Sequence, residues 1–326
     1  MSVLVVTEQA GGKWHRMSFE CLAAGQAAAG AMGCPLAALV AGSGVGDLAA
    51  DLSAKQVSEV IALDDPVLGT YSPDGFAEAL RQAVEQIQPR LVLFPHTYQV
   101  RDLAPKLAAS LGRAFVSDAV GIRFERAGPV FVRQLFQGKL HGDVVVDGPP
   151  PYFASVQSGA FRADSVVDGE APASVRFLDL ALAPSMVRTS SEPPFQDAKD
   201  AVDLGSADII VSVGRGIQDP ANIPQAQALA TALGGELAAS RPICDNGWLP
   251  LDRQIGSSGQ TVSPNLYLAL GISGAIQHVV GMKGAKTIVA VNKDRGAPIF
   301  EIADYGVVAD LFEIVPALVK ARGEVE

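Results

Sequence analysis

Cysteine, basic residues and long apolar runs are all scarce in this chain, and each shortage excludes a class of function. Only three cysteines occur, Cys21, Cys34 and Cys244, with no C-x-x-C pair and no cysteine–histidine spacing suited to a metal. That pattern excludes a disulfide framework and a structural zinc site, and it fits a reducing compartment. Cys21 and Cys34 lie in alanine-rich apolar stretches, where a free thiol behaves as a small core residue. No apolar run approaches the roughly 20 residues that span a bilayer. The strand-like run Val3-Leu4-Val5-Val6 starts without a basic leader before it. A cytoplasmic protein with no membrane insertion is therefore expected. Lys and Arg number 25 against 35 Asp and Glu, a formal net charge of −10. This balance argues against phosphate-backbone binding, so nucleic acid is not an expected partner. The glycine loops contain neither a G-x-G-x-x-G fingerprint nor a Walker A sequence, and no G-x-S-x-G elbow is present. A dinucleotide fingerprint, a P-loop and a nucleophile-elbow hydrolase cannot be claimed from motif alone.

What is present is core material and rhythm. Hydrophobic residues make up 48% of the 326, enough for about two domains. The 33 Gly and 21 Pro follow no triplet period and mark turns. Strands are expected at 3–6, 36–40, 57–62 and 91–94, and helices at 17–31, 76–88 and 102–111. Pro89 and Pro95 act as stops and Gly112 closes the last helix. Continuous apolar strands separated by helices indicate a parallel sheet covered on both faces. From Gly121 the character changes. Short strands at 121–125, 130–136, 143–146 and 153–156 have no helices between them and predict an antiparallel edge.

A polar, Pro-containing stretch from about Ala183 to Ala201 then interrupts the pattern. The expected division is an N-terminal α/β domain over 1–185, a linker over 186–200 and a second α/β domain over 201–326. In the second, strands at 208–213, 236–239, 267–270 and 287–291 accompany helices at 223–233 and 311–320. Glycine loops follow the strands at Gly214-Arg215-Gly216, Ile255-Gly256-Ser257-Ser258-Gly259 and Gly271-Ile272-Ser273-Gly274. Ligands of open α/β sheets sit where such loops present backbone N–H groups. On physics alone this is a nucleotide-type site or a set of turns.

The run Gly271-Ile272-Ser273-Gly274-Ala275-Ile276-Gln277-His278, with Gly281-Met282-Lys283 and Thr287 to Asp294, resembles the FAD domain of electron-transfer flavoprotein alpha subunits. So do Ala297-Pro298-Ile299-Phe300, Ala303-Asp304-Tyr305-Gly306 and Ala309-Asp310-Leu311-Phe312. Gly214-Arg215-Gly216 and Ala239-Ser240-Arg241 fall in family order upstream. The likeness is dense over about 120 residues and extends to Arg101-Asp102-Leu103-Ala104-Pro105, which looks like a helix start of that family. It implies an N-terminal nucleotide-binding-like domain that packs on a beta subunit, followed by a doubly wound FAD-binding domain.

Residue by residue, the resemblance implies that Arg215 meets the cofactor's phosphate or ribityl region, a role suited to a guanidinium. Ser240, Ser273, Gly274, Ala275, Ile276, Gln277, His278, Asn292, Asp310 and Leu311 would line the dinucleotide, with Gly274 letting the backbone approach it. Ile255, Gly256, Ser257 and Ser258 would pass near the flavin ring. Many members have Gly-Gln-Thr-Gly where this chain has Gly256-Ser257-Ser258-Gly259, so Ser258 keeps a hydroxyl for flavin N5 while Ser257 loses an amide. Arg241 would place a cation beside the ring, and His278 would donate to the O2 region as negative charge develops there. His15, beside Trp14, and His96 and His141 read as structural or surface groups.

The expectation is a redox carrier and not an enzyme. It is the alpha subunit of a heterodimer whose FAD takes electrons from flavin dehydrogenases, such as those acting on acyl-CoA, and passes them to a quinone oxidoreductase. Two rival readings are a flavin or nicotinamide oxidoreductase with its own small substrate, and a nucleotide-binding module without redox activity. No paired acid/base groups support the former.

Overall fold

The computed structural model describes residues 2–125, 128–136, 138–189, 204–205 and 207–323. The chain forms two compact units, Met1–Pro194 and Phe195–Glu326. Of the stretch expected to link the halves, residues 186–189 belong to the first unit, where the Arg188 backbone N–H donates to Asp74 Oδ2 at 2.8 Å. Residues 190–200 lie outside those described.

In chain order the first unit contains β1 (Val3–Val6), β2 (Gln9–Ala10), β3 (Lys13–Trp14), α1 (Met17–Met32), β4 (Leu36–Gly42), α2 (Gly46–Ser53) and β5 (Glu59–Asp64). It continues with α3 (Pro73–Ile87), β6 (Leu91–Pro95), α4 (Tyr98–Ser110), β7 (Phe115–Glu125), β8 (Gly128–Leu135), β9 (Leu140–Val145), β10 (Tyr152–Val156) and β11 (Ser174–Phe177). Its large sheet runs β11-β5-β4-β1-β6-β10-β7-β8-β9. The pairs from β11 to β7 are parallel, and β7 to β8 and β8 to β9 are antiparallel. Every residue of β1, β4, β6 and β10 is buried, because one core cluster lies on each face of the sheet. Such strands need no polar alternation.

This explains a correction. The run 153–156 was expected at the antiparallel edge, but β10 lies between β6 and β7 and is parallel to both. Its continuous burial is the signature of an interior parallel strand. The run 121–125 is the outer half of β7, which pairs parallel with β10 and then, beyond Asp118 at φ 59°, antiparallel with β8. Helix α4 also starts a turn earlier than expected. Thr97 caps it by accepting from the Val100 N–H at 3.2 Å, and Pro105 sits inside the helix.

The second unit contains β12 (Ile209–Val213), α5 (Ile223–Leu233), β13 (Glu236–Ser240), α6 (Arg241–Asp245), β14 (Gln254–Ile255), β15 (Leu266–Leu270), α7 (Ile276–Val279), β16 (Thr287–Asn292), β17 (Tyr305–Val308) and α8 (Leu311–Gly323). Its sheet is parallel throughout, in the order β14-β13-β12-β15-β16-β17. Counted along the unit this is 3-2-1-4-5-6, the doubly wound order whose chain direction reverses between its first and fourth strands. One apolar cluster carries α5 and α8 on one face of this sheet, and a second cluster around Tyr267, Met282 and Ile299 covers the other. Among the described residues, no helix is long and apolar enough to cross a membrane, and no group of acidic, His or Cys side chains could hold a metal ion.

Candidate functional site at the carboxyl rim of the second sheet

The residues singled out in the sequence gather at one edge. Each follows the carboxyl end of a strand: Arg215 after β12, Ser240 and Arg241 after β13, Ile255 to Ser258 at β14, Ser273 to His278 after β15, Asn292 at the end of β16, and Asp310 with Leu311 after β17. The reversal between β12 and β15 lies at the centre of this rim.

Glycine makes that centre possible. The Gly214 N–H donates to Leu270 O at 2.9 Å and the Gly216 N–H to Gly271 O at 3.1 Å, so the two loops lie backbone against backbone. A Cβ on Gly214 would stand 2.4 Å from Gly271 O, and one on Gly216 only 2.6 Å from Gly271 Cα. Arg215 lies between these glycines, exposed, and its side chain has no hydrogen bond or ion pair among the described residues. Gly274 serves the scaffold directly. At φ 86°, a Cβ there would lie 2.1 Å from Ile299 N, so its smallness admits the 298–299 segment whatever else approaches. Ser273 also holds that segment, its carbonyl accepting the Ile299 N–H at 3.1 Å.

The β14 loop is tied to the α7 turn. The Ser257 N–H donates to Gln277 O at 2.7 Å, and the Gly256 N–H to Gln260 O at 3.1 Å. Gln254 Nε2 donates to Ser258 Oγ at 3.0 Å, leaving the exposed serine its own O–H to give. Ala275, Ile276 and Gln277 are exposed, Ile276 at 57%. Ser240 is buried and makes no capping bond to α6, while Arg241 Nε donates to Asp245 Oδ2 at 3.1 Å from a largely exposed position. Asn292 serves the rim itself, its amide donating to Ile272 O at 2.9 Å and its oxygen accepting the Asp294 N–H at 2.9 Å. Asp310 caps α8 through the Phe312 N–H and meets Lys293 Nζ at 2.8 Å, and these donors hold its carboxyl below the ordinary range. Leu311 is buried beneath.

His278 differs from its expected role as a donor to the cofactor. The residue is 6% exposed. Its Nδ1 lies 3.1 Å from Ile255 O, which can only accept, so Nδ1 carries the proton. Its Nε2 lies 2.8 Å from Tyr267 Oη. Burial pushes the imidazole down to about 4, which makes it neutral at pH 7, so Nε2 is bare and accepts from the tyrosine. No N–H is left to offer outward in this arrangement. Sequence reasoning read Tyr267 only as part of an apolar strand. Its hydroxyl was the signal, since a fully buried phenol needs a partner.

The first sheet's carboxyl rim holds His15 and His96 and has a different character, while His141 lies exposed in the edge strand β9. Glu8, between β1 and β2, accepts from the Thr97 hydroxyl at the start of α4. Burial raises the Glu8 carboxyl above its ordinary value, against the pull of Thr97 and His15. Asp64 accepts from the Gly44 and Val45 N–H groups at 2.7 and 3.3 Å, and Glu20 from the Gly159 N–H at 2.7 Å. His96 lies 2.8 Å from Ser155 Oγ, and Trp14 donates to Asp51.

Comparison with known proteins decides the family. The model described as the electron transfer flavoprotein domain matches residues 3–183, and that of the electron transfer flavoprotein FAD-binding domain matches residues 203–283. The electron transfer flavoprotein subunit alpha of Bacillus subtilis is 39% identical, over 97% of this chain and 95% of its own length. The chain belongs to the electron transfer flavoprotein alpha family. A FixB protein of Clostridium saccharobutylicum is 34% identical over 99% of this chain and 96% of its own. The acryloyl-CoA reductase electron transfer subunit beta of Anaerotignum propionicum is also 34% identical, over 99% of this chain and 95% of its own. Members of the flavoprotein family carry electrons and do not transform a substrate of their own, and FAD is the cofactor of the second unit. The rim suits such a group: an unpaired guanidinium and glycine-rich loops at the reversal point, with serine hydroxyls and an exposed isoleucine beside them, offer donors to a diphosphate and apolar cover to a ring.

Proposed function

We propose that this chain pairs with a beta subunit, and that its FAD receives electrons from flavin dehydrogenases, including those acting on acyl-CoA, and passes them to a quinone oxidoreductase. The cofactor supplies the electron-accepting ring; the chain binds and orients it. Arg215 would meet its diphosphate or ribityl region, with Ser240, Ser273 and the 274–277 turn along its length and the 255–258 loop beside the ring. Ser258 would donate to N5, and Arg241 would stand as the cation that favours charge on the reduced ring. The division at 1–185 and 201–326 gives one domain for the partner and one for the cofactor.

The observation that carries this reading is the exposed, unpaired Arg215 at the point where the second sheet reverses. The name of the acryloyl-CoA reductase relative supports an acyl-CoA enzyme as redox partner. Co-expression with the beta-subunit reading frame is expected to give a yellow heterodimer that bleaches with an acyl-CoA dehydrogenase and its substrate, and recolours with a quinone oxidoreductase. A yellow heterodimer that no acyl-CoA dehydrogenase reduces would remove that donor class. A colourless one would remove the reading itself.

A further inference from the structure

The buried Tyr267–His278 pair has no part in binding as described so far, yet it sits beneath the loop expected nearest the ring. Tyr267 lies within β15 and is 0% exposed, surrounded by Ile210, Ile255, Val262, Ala269, Ile272 and Met282. Its hydroxyl meets His278 Nε2, and the other ring nitrogen meets Ile255 O at the start of the 255–258 loop. A histidine whose two nitrogens face a carbonyl and a hydroxyl can satisfy both in one neutral form, with Nδ1–H donating and Nε2 accepting. The reverse tautomer would set a bare Nδ1 against a carbonyl lone pair. The phenol can only donate here without charging the ring, and burial opposes that charge.

The same histidine lies in α7, where the Gln277 carbonyl accepts the Ser257 N–H at 2.7 Å. Loop and turn are therefore joined at two adjacent points, one through backbone and one through the imidazole. Gly256 packs between them, since a Cβ there would lie 2.6 Å from Gln277 O.

We propose that Tyr267 is a positioning residue of this rim: its hydroxyl fixes His278 as the Nδ1–H tautomer, and the fixed ring holds Ile255 and the 256–258 loop in place for the cofactor. The last clause rests on the cofactor reading above; the tautomer does not.

The test uses the full chain with 15N-labelled histidine. It holds four histidines, and the signal that disappears in His278→Asn assigns the ring. Wild type is expected to show a single species at neutral pH, protonated at Nδ1 and bare at Nε2. Tyr267→Phe keeps the packing and removes the donor. It is expected to populate the Nε2–H form and to speed exchange of the Ser257 amide about tenfold, the effect of losing one buried hydrogen bond. FAD titration should then show weaker binding by a similar factor. A wild-type ring protonated at Nε2 overturns the proposal even if Tyr267→Phe does not fold. So does a Tyr267→Phe chain with unchanged tautomer and unchanged Ser257 exchange. An altered tautomer with FAD binding equal to wild type overturns the positioning role and leaves the cofactor reading intact. If wild type itself binds no FAD, the cofactor reading fails, and the ring signals still decide the tautomer.

Discussion

At the carboxyl rim of the first sheet, backbone N–H groups and the cap of α4 are met by the chain's own acids, Asp64 on Gly44 and Val45, Glu20 on Gly159, and Glu8 on Thr97. At the corresponding rim of the second sheet, the loops lie against each other through glycine, and the charged group at their centre is a guanidinium without a partner among the described residues. Both rims end runs of parallel strands whose helices and loops aim N–H groups outward, which favours an anion at each. The first rim supplies that anion internally. The second does so only at its margin, where Asp310 caps α8, and leaves the glycine loops at its centre to a ligand. One architecture can thus become a scaffold or a site according to where its carboxylates stand.

The sharpest way to break this contrast is to substitute the glycine that packs the second rim. Gly274→Ala forces a Cβ to 2.1 Å from Ile299 N at a positive φ, and it is expected to cost more than about 3 kcal/mol and to abolish FAD retention. Gly44→Ala in the first rim also has a positive φ but meets nothing within 4 Å, so about 1 kcal/mol is expected. Denaturant unfolding compares them. Trp14 reports the first unit and Trp248, packed on the α5–α8 cluster, reports the second.

Acid tests the second rim next. His278 titrates near 4 when folded, below the 6.5 of a free imidazole, so between those values the unfolded chain takes up a proton that the folded chain refuses. Stability of the second unit is therefore expected to fall by up to about 3 kcal/mol as pH drops through that window. His278→Gln should flatten the dependence seen in Trp248 fluorescence. An equally steep fall in that variant would place the acid sensitivity elsewhere.

Arg215→Ala sharpens the comparison from the ligand side. With no side-chain partner among the described residues to lose, the variant should keep its stability within about 0.5 kcal/mol, while its FAD dissociation constant rises about tenfold or more. Asp64→Asn is the converse: about 1 kcal/mol of stability lost from the first unit, and FAD affinity unchanged. A similarly small structural effect is expected for Arg241→Ala, whose exposed pair with Asp245 contributes about 0.5 kcal/mol or less. Its signature is instead a lower flavin reduction potential, read by spectroelectrochemistry. An unchanged potential would separate Arg241 from the ring.

Much of the architecture was legible because apolar periodicity is a local property. The fully apolar runs became β1, β4, β6 and β16, and the helix expected at 223–233 forms over Ile223–Leu233. Elements without that signal were missed: α2 is short, and β11 and β17 are exposed edge strands. The ordered motifs of the second half likewise marked which loops meet at the rim.

The sequence by itself determined that the chain is an alternating α/β protein with glycine loops after the strands of its second half, since residue types and spacing carry that information directly. Only the tertiary structure decided which residues those loops meet. Gly274 faces Ile299, Asn292 faces Ile272, and His278 turns both nitrogens to Ile255 and Tyr267, partners 11 to 25 positions away in the chain. The insertion of β10 between β6 and β7 is of the same kind. A burial pattern tells a strand that it will be covered, but not by what. Hydrogen-bond satisfaction, the choice of tautomer and the placement of a carboxylate against an N–H are set by neighbours that chain spacing does not encode.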